Sequence, residues 1–232
     1  MSQQRALDQA LSSSLPARRW VRQTRRQLRP HGFNRDNTYA ATGLCRDELC
    51  TPLEVAVDRT WGESFNCTSL GGLPTLGRTG FQTLGLHAPL VDGKRRYVLY
   101  FLAHIGVDRA GTAGLCERGR RHGPSCGALA KVLDEMSRGE LELKMDGHDP
   151  EFSLLRFRLA RAIGKEKVTD LFTLTRYAQL ATQQDIKHLV GELPHSADVA
   201  LFTGILVHLP EEDRVIPGDC SARVGGRVVP LS

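Results

Sequence analysis

The sequence predicts an α/β protein. Two observations carry this. Residues 97–105, Tyr-Val-Leu-Tyr-Phe-Leu-Ala-His-Ile, and residues 198–208 are nearly continuous apolar runs of strand length, the pattern of strands covered on both faces. Around them, apolar residues recur at helical spacing. Leu49, Leu53, Val57 and Trp61 lie four apart, and Leu129, Val132, Leu133 and Met136 share one face. Strands alternating with helices define the class.

In chain order, residues 4–28 read as helical with an interruption near Pro16, because proline removes a backbone donor. Residues 31–44, rich in Gly, Asn, Asp and Thr, read as a loop. Residues 48–61 form a helix that Gly62 can end, with Pro52 in its tolerant first turn. Residues 66–80 hold four glycines and Pro74 and read as a second loop, and residues 106–119 as a third. Ser125 can cap a helix over residues 126–138. Helices follow at about 150–163 and 168–190, and residues 214–229 close the chain as a strand or hairpin.

A chain of 232 residues is one domain, or one domain with an added arm. The charge supports the second form. The formal net charge is +5, yet the first 30 residues alone carry +6, with Arg5, Arg18, Arg19, Arg22, Arg25, Arg26 and Arg29 against Asp8. The division is therefore a basic helical arm at 1–30 and a body at 31–232 that is close to neutral. The simplest role for the arm is a solvated helix docked on the body or on a subunit. An Arg- and Ser-rich targeting segment and a patch for an acidic partner or a nucleic acid are the alternatives. No apolar run approaches the roughly 18–20 residues of a membrane span, and no apolar leader opens the chain. A cytoplasmic protein is expected, with organellar targeting by the arm left open. Aromatic residues make up only 6%, which argues against base-stacking nucleic-acid modules.

Chemistry is expected where strands or loops give way to the next element. Cys45 precedes a helix in Cys45-Arg46-Asp47-Glu48, His104 ends a buried strand, and Cys126 opens a helix in Pro124-Ser125-Cys126-Gly127. Two thiols and an imidazole form a soft ligand set that suits zinc, and three protein ligands leave a fourth position for water. The competing reading is three buried structural residues, since free cysteine is among the most buried types. Gly72-Leu73-Pro74-Thr75-Leu76-Gly77-Arg78-Thr79 approaches a phosphate-binding loop, but arginine replaces its lysine and Pro74 removes a cradle amide. Cys50, Cys67, Cys116 and Cys220 are most simply plain thiols. A Cys45–Cys50 disulfide would consume the proposed ligand. Asn66-Cys67-Thr68 is a formal glycosylation sequon and is read as coincidence.

Six blocks occur in order: Gly32-Phe33-Asn34-Arg35-Asp36-Asn37, Cys45-Arg46-Asp47-Glu48, Ser69-Leu70-Gly71-Gly72-Leu73, Gly77-Arg78-Thr79-Gly80-Phe81, His104-Ile105-Gly106-Val107-Asp108 and Ser125-Cys126-Gly127-Ala128. Together they resemble the limiting-carbon-dioxide-inducible protein B/C family over roughly residues 30–230. Its active members are called theta-class carbonic anhydrases. The resemblance implies a mainly parallel sheet flanked by helices, like that of beta-class carbonic anhydrases, and a homodimer. It places the zinc ligands on Cys45, His104 and Cys126.

It also implies a catalytic Asp47. A carboxylate two residues from a thiolate ligand can reach the open metal position and shut it, unless an arginine holds it in a bidentate pair. Arg78 is the expected partner, Arg118 the second choice, and Arg46 is expected to point away. His87 is a possible proton shuttle or pocket wall. The expected activity is zinc-dependent hydration of carbon dioxide to bicarbonate, with no organic cofactor. The alternative is a zinc-bearing, inactive member that binds bicarbonate or acts as a scaffold in inorganic-carbon uptake.

Overall fold

A computed structural model describes residues 3–118 and 121–231. Its elements are α1 (Gln3–Ser12), β1 (Leu15–Pro16), α2 (Ala17–Leu28), β2 (Thr38–Gly43), α3 (Thr51–Trp61), β3 (Ser64–Asn66), α4 (Gly77–His87) and β4 (Arg96–Gly106). Then come β5 (Leu115–Arg118), β6 (Arg121–Pro124), α5 (Gly127–Arg138), α6 (Pro150–Ile163), α7 (Leu171–Leu189), β7 (Asp198–His208), β8 (Asp213–Val224) and β9 (Arg227–Val229). The main sheet runs β1-β8-β7-β4-β2-β3, with β9 on β8. Its centre is parallel, because β3, β2, β4 and β7 pair in parallel. The edge is antiparallel, through β8 and its neighbours. The class is thus α/β with a mixed, mostly parallel sheet.

Both faces of the sheet are covered, which is why β4 and β7 read as unbroken apolar runs. Along β4, Val98, Tyr100 and Leu102 enter one core while Tyr97, Leu99 and Phe101 enter the other. Along β7, Ala200 and Phe202 face the first core, Val199 and Leu201 the second. The period of two is hidden in the sequence because both faces need apolar side chains.

The basic N-terminal segment docks on the body. Pro16 separates α1 from α2 and immediately precedes the first residue of α2. Leu7, Trp20, Val21 and Leu28 are buried in the main core. Trp20 meets the Tyr100 ring edge-on at 5.6 Å, and Tyr100 stacks on Phe202 at 5.5 Å. The Tyr100 hydroxyl accepts the Trp61 indole N–H at 2.9 Å, so this large polar ring is satisfied inside the core.

Three segments differ from the sequence reading. Residues 31–44 contain β2, which lies between β4 and β3. Its Ala40, Ala41 and Thr42 are buried but too small or polar to signal a core strand. A Cβ on Gly43 would lie 2.1 Å from the Phe101 ring, so the next strand requires glycine there. The loop expected through residue 80 gives way to α4 at Gly77. Three glycines in that helix lower its propensity and hid it. Within residues 106–119, β5 begins a hairpin with β6. Among the described residues, no helix is long and apolar enough to cross a membrane.

Candidate metal centre

Cys45 lies two residues beyond the end of β2, His104 near the end of β4, and Cys126 immediately before α5. The parallel strands bring their carboxyl ends together, and the three side chains converge there. One ligand atom from each lies within 4.8 Å of the others, and all three residues are buried, at 5%, 1% and 1% exposure. Two glycines make the approach possible. Gly72 has φ of +75°, and a Cβ on it would lie 2.7 Å from the Leu102 carbonyl oxygen. A Cβ on Gly106 would lie 2.6 Å from the Leu115 carbonyl oxygen and 2.7 Å from Ser125.

Cys126, not Ser125, is the N-cap of α5, with φ of 56° and ψ of 68°. This left-handed conformation is unusual for a residue with a Cβ and costs about 1–2 kcal/mol. Such strain concentrates at functional sites. It aims the Cys126 thiol at Cys45.

The thiols of Cys45 and Cys126 are shifted in opposite directions. The hydrogen bond from Cys126 lowers the Cys45 thiol from an ordinary 9.0 to about 4, with further help from His104 against the penalty of burial. The same bond, together with burial, pushes Cys126 well above its ordinary value.

His104 is held from behind. Its Nδ1 lies 3.1 Å from His208 Nε2, and His208 Nδ1 lies 2.8 Å from Asp213 Oδ1. This chain fits N–H donation from His208 to Asp213 and from His104 to His208. The remaining His104 nitrogen, Nε2, is buried without a hydrogen-bond partner. A buried imidazole nitrogen with a free lone pair beside two thiols is what a soft divalent cation requires, so the residues fit zinc. Neither His208 nor Asp213 was singled out from the sequence. The available signal was that β4 and β7, two apolar strands, both carry a histidine at their ends. Cys50 with His104 and His208 forms a second grouping of ligand atoms within 4.8 Å of one another. The Cys50 thiol is pushed well above its ordinary value by burial and by Cys45 and Asp47. Cys45 and Cys50 are not joined by a disulfide.

Asp47 borders this cluster. Its Oδ2 lies 3.9 Å from His104 Nε2, and its side chain keeps 16% exposure. Its Oδ1 accepts the Leu49 amide at 3.1 Å, capping the short turn Glu48–Cys50, and its Oδ2 accepts the Cys126 amide at 3.5 Å. The expected Asp47–Arg78 pair does not form. Arg78 is not in a loop but in the first turn of α4, 68% exposed, and its Nε contacts Glu192 at 3.1 Å. Backbone amides do the holding that an arginine was expected to do. The side chain of Arg118 lies outside the described residues. Arg46 points away, to Glu151 at 2.5 Å.

His87 is not at the cluster within one chain. It is exposed at the end of α4, where it stacks on Tyr39 at 5.8 Å and meets Phe65 edge-on at 5.4 Å. Tyr39 pairs with Tyr97 at the amino end of the sheet. His104 lies seven residues further along β4, or about 23 Å at roughly 3.3 Å per residue.

A mostly parallel sheet with a buried two-cysteine, one-histidine cluster at its strand ends defines an α/β protein with a candidate metal centre. The chain belongs to the limiting CO2-inducible protein B/C family, because the model for "limiting CO2-inducible proteins B/C beta carbonic anhydrases" matches residues 14–220. That match begins inside the basic arm, earlier than the six sequence blocks indicated. The fold is similar to the crystal structure of limiting CO2-inducible protein LCIB, with TM-score 0.81, 29% identity and 100% of each chain covered. It is also similar to PtLCIB4, a homolog of that protein, with TM-score 0.84, 24% identity and 97% and 98% of the two chains covered. No curated protein sequence matches the chain.

Proposed function

We propose that this chain is a zinc carbonic anhydrase that interconverts carbon dioxide and bicarbonate. The observation that carries the reading is the convergence of Cys45, His104 and Cys126 with His104 Nε2 left unpartnered. Family membership supplies the reaction class. Zinc, when bound, supplies Lewis acidity that makes a water molecule nucleophilic near neutral pH.

The chain's own residues do the rest. Cys45 and Cys126 supply soft, anionic donors that favour zinc over harder cations. His208 and Asp213 would fix the His104 tautomer and ring plane, leaving Nε2 available to a metal. Asp47 is anchored by two amides, and its Oδ2, 3.9 Å from His104 Nε2, would accept a hydrogen bond from the nucleophilic oxygen and orient it. Because Asp47 is the most exposed of these groups, substrate enters past it. Leu86 and Leu90, 76% and 64% exposed around the end of α4, offer apolar surface to a second copy, which supports the homodimer expectation.

Metal analysis and stopped-flow hydration of carbon dioxide on the purified chain test the reading. Stoichiometric zinc with hydration is expected, and a chain that takes up no zinc would overturn it. Near-complete burial of all three ligands favours a second reading, a zinc-bearing protein that binds bicarbonate without turnover. Zinc without hydration selects that one. Sedimentation at micromolar concentration tests the dimer.

A further inference from the structure

Six arginines line one groove between α2 and α3, and no described acidic residue pairs with any of them. The groove, about 820 Å³, is bordered by Arg18, Arg22, Arg25, Arg26, Arg29 and Arg59. All six are exposed. None takes part in an ion pair among the described residues, although Arg46, Arg78, Arg138, Arg156, Arg158, Arg161 and Arg214 each have an acidic partner. The acids of α3 do not neutralise the groove. Asp58 accepts the Ser64 hydroxyl at 2.6 Å, and the Glu54 carboxyl is pushed up by burial and by Asp58 rather than down by an arginine.

Helix stability does not explain this arrangement. Arg25 and Arg26 occupy the last turn of α2, where the helix dipole favours cations. Arg18 and Arg19 stand in the first turn, where it opposes them and where no acidic residue is present. Arg18, Arg22, Arg25 and Arg29 follow one another at spacings of four, three and four, so they form one stripe of mutually repelling charges. All cations of the first 30 residues are arginine and none is lysine. Arginine's planar fork pairs with oxyanions through two parallel hydrogen bonds, which a lysine cannot do.

The floor of the groove is apolar. Pro52, Val55 and Ala56 of α3 line it, and Val55 is 38% exposed. Apolar floor and arginine wall together favour an amphipathic peptide over a nucleic acid, which would present no apolar face and would find no exposed aromatic ring here to stack on. We infer that the α2–α3 groove binds an acidic amphipathic helix of a partner protein. Its apolar face lies on Val55, and its carboxylates pair with the arginine stripe. At 1.5 Å per residue the stripe advances in steps of about 6, 4.5 and 6 Å. Carboxylates at matching spacings on a partner helix meet it in register. The inference is independent of zinc chemistry.

The probe is a synthetic amphipathic helix with glutamates at four, three and four spacing and leucines on the adjoining face, read by fluorescence anisotropy. The full-length protein should bind it at low ionic strength and lose at least about tenfold in affinity at roughly 0.5 M salt, where exposed charges are screened. The Arg22→Glu/Arg25→Glu double variant should abolish binding while zinc content and sedimentation stay those of the parent. The Arg22→Lys/Arg25→Lys variant should weaken it only partly. The inference is overturned if the double variant binds equally well or if a peptide with its leucines replaced by serines binds as tightly. It is also overturned if a DNA duplex binds more tightly than the peptide, or if the double variant dissociates a dimer.

Discussion

Strands β4 and β7 bury ionisable groups at both ends, and the two ends behave differently. At the amino end Arg96 and Asp198 are direct register partners, with Nε and Oδ2 3.5 Å apart and Lys94 at 4.0 Å from the same oxygen. Asp198 Oδ1 also accepts the Gly225 amide at 2.7 Å. Opposite charges meet there, so the buried charge is offset by its opposite, although Arg96 Nε and Asp198 Oδ2 make no hydrogen bond. At the carboxyl end His104, backed by His208, meets the thiols of Cys45 and Cys126, and its Nε2 has no hydrogen-bond partner, with Asp47 Oδ2 at 3.9 Å. Buried charge that finds its opposite is structural. Buried lone pairs that converge without a donor mark a place for a cation.

Mutations at the two ends should separate these roles. The largest effect is expected at the three candidate ligands. Cys45→Ala, His104→Ala or Cys126→Ala should each reduce zinc from stoichiometric to near zero after dialysis, measured by elemental analysis, because two ligands hold the ion too weakly. Full zinc retention by one variant removes that residue from the ligand set. Next, Asp198→Ala should destabilise the fold by about 3–5 kcal/mol in urea unfolding, since it strands a buried guanidinium, while zinc content stays unchanged. A variant that loses zinc with its stability intact would erase the contrast.

Smaller effects should come from the residues that support the ligands. His208→Ala should weaken zinc affinity about 10–100-fold in competition with a chelator, because His104 loses the partner that fixes its tautomer. Asp47→Asn should retain zinc and lower hydration by a similar factor of about 10–100, seen by stopped flow. The smallest change is expected for Arg78→Ala. It breaks one exposed pair with Glu192, so activity should be unchanged and stability should fall by less than about 1 kcal/mol. A large activity loss would restore Arg78 to the site through a route that a single chain does not contain.

Much was legible in the residues alone. Two buried strands, the helices with strong periodicity and the three candidate ligands all stand out, because apolar period and donor chemistry are local properties. Strand β2 was not legible. Its Thr-Tyr-Ala-Ala-Thr-Gly composition suits a loop, and only packing between β3 and β4 makes small residues an advantage there. Helix α4 was masked by its own glycines. That error carried the arginine of Gly77-Arg78-Thr79-Gly80 into the site, whereas a helix turns it outward to Glu192.

The sequence by itself determined the α/β class, the candidate donor set and the concentration of arginine before residue 30, since each depends on which residues are present and how they repeat. The tertiary structure decided who meets whom. It seats His208 behind His104, across 104 positions of sequence, and gives Asp47 backbone amides in place of an arginine. It also lays the arginine stripe beside an apolar floor from another helix. Such pairings follow from strand register and helix docking, in which contacts far apart in sequence are fixed by packing the whole core rather than by any local pattern.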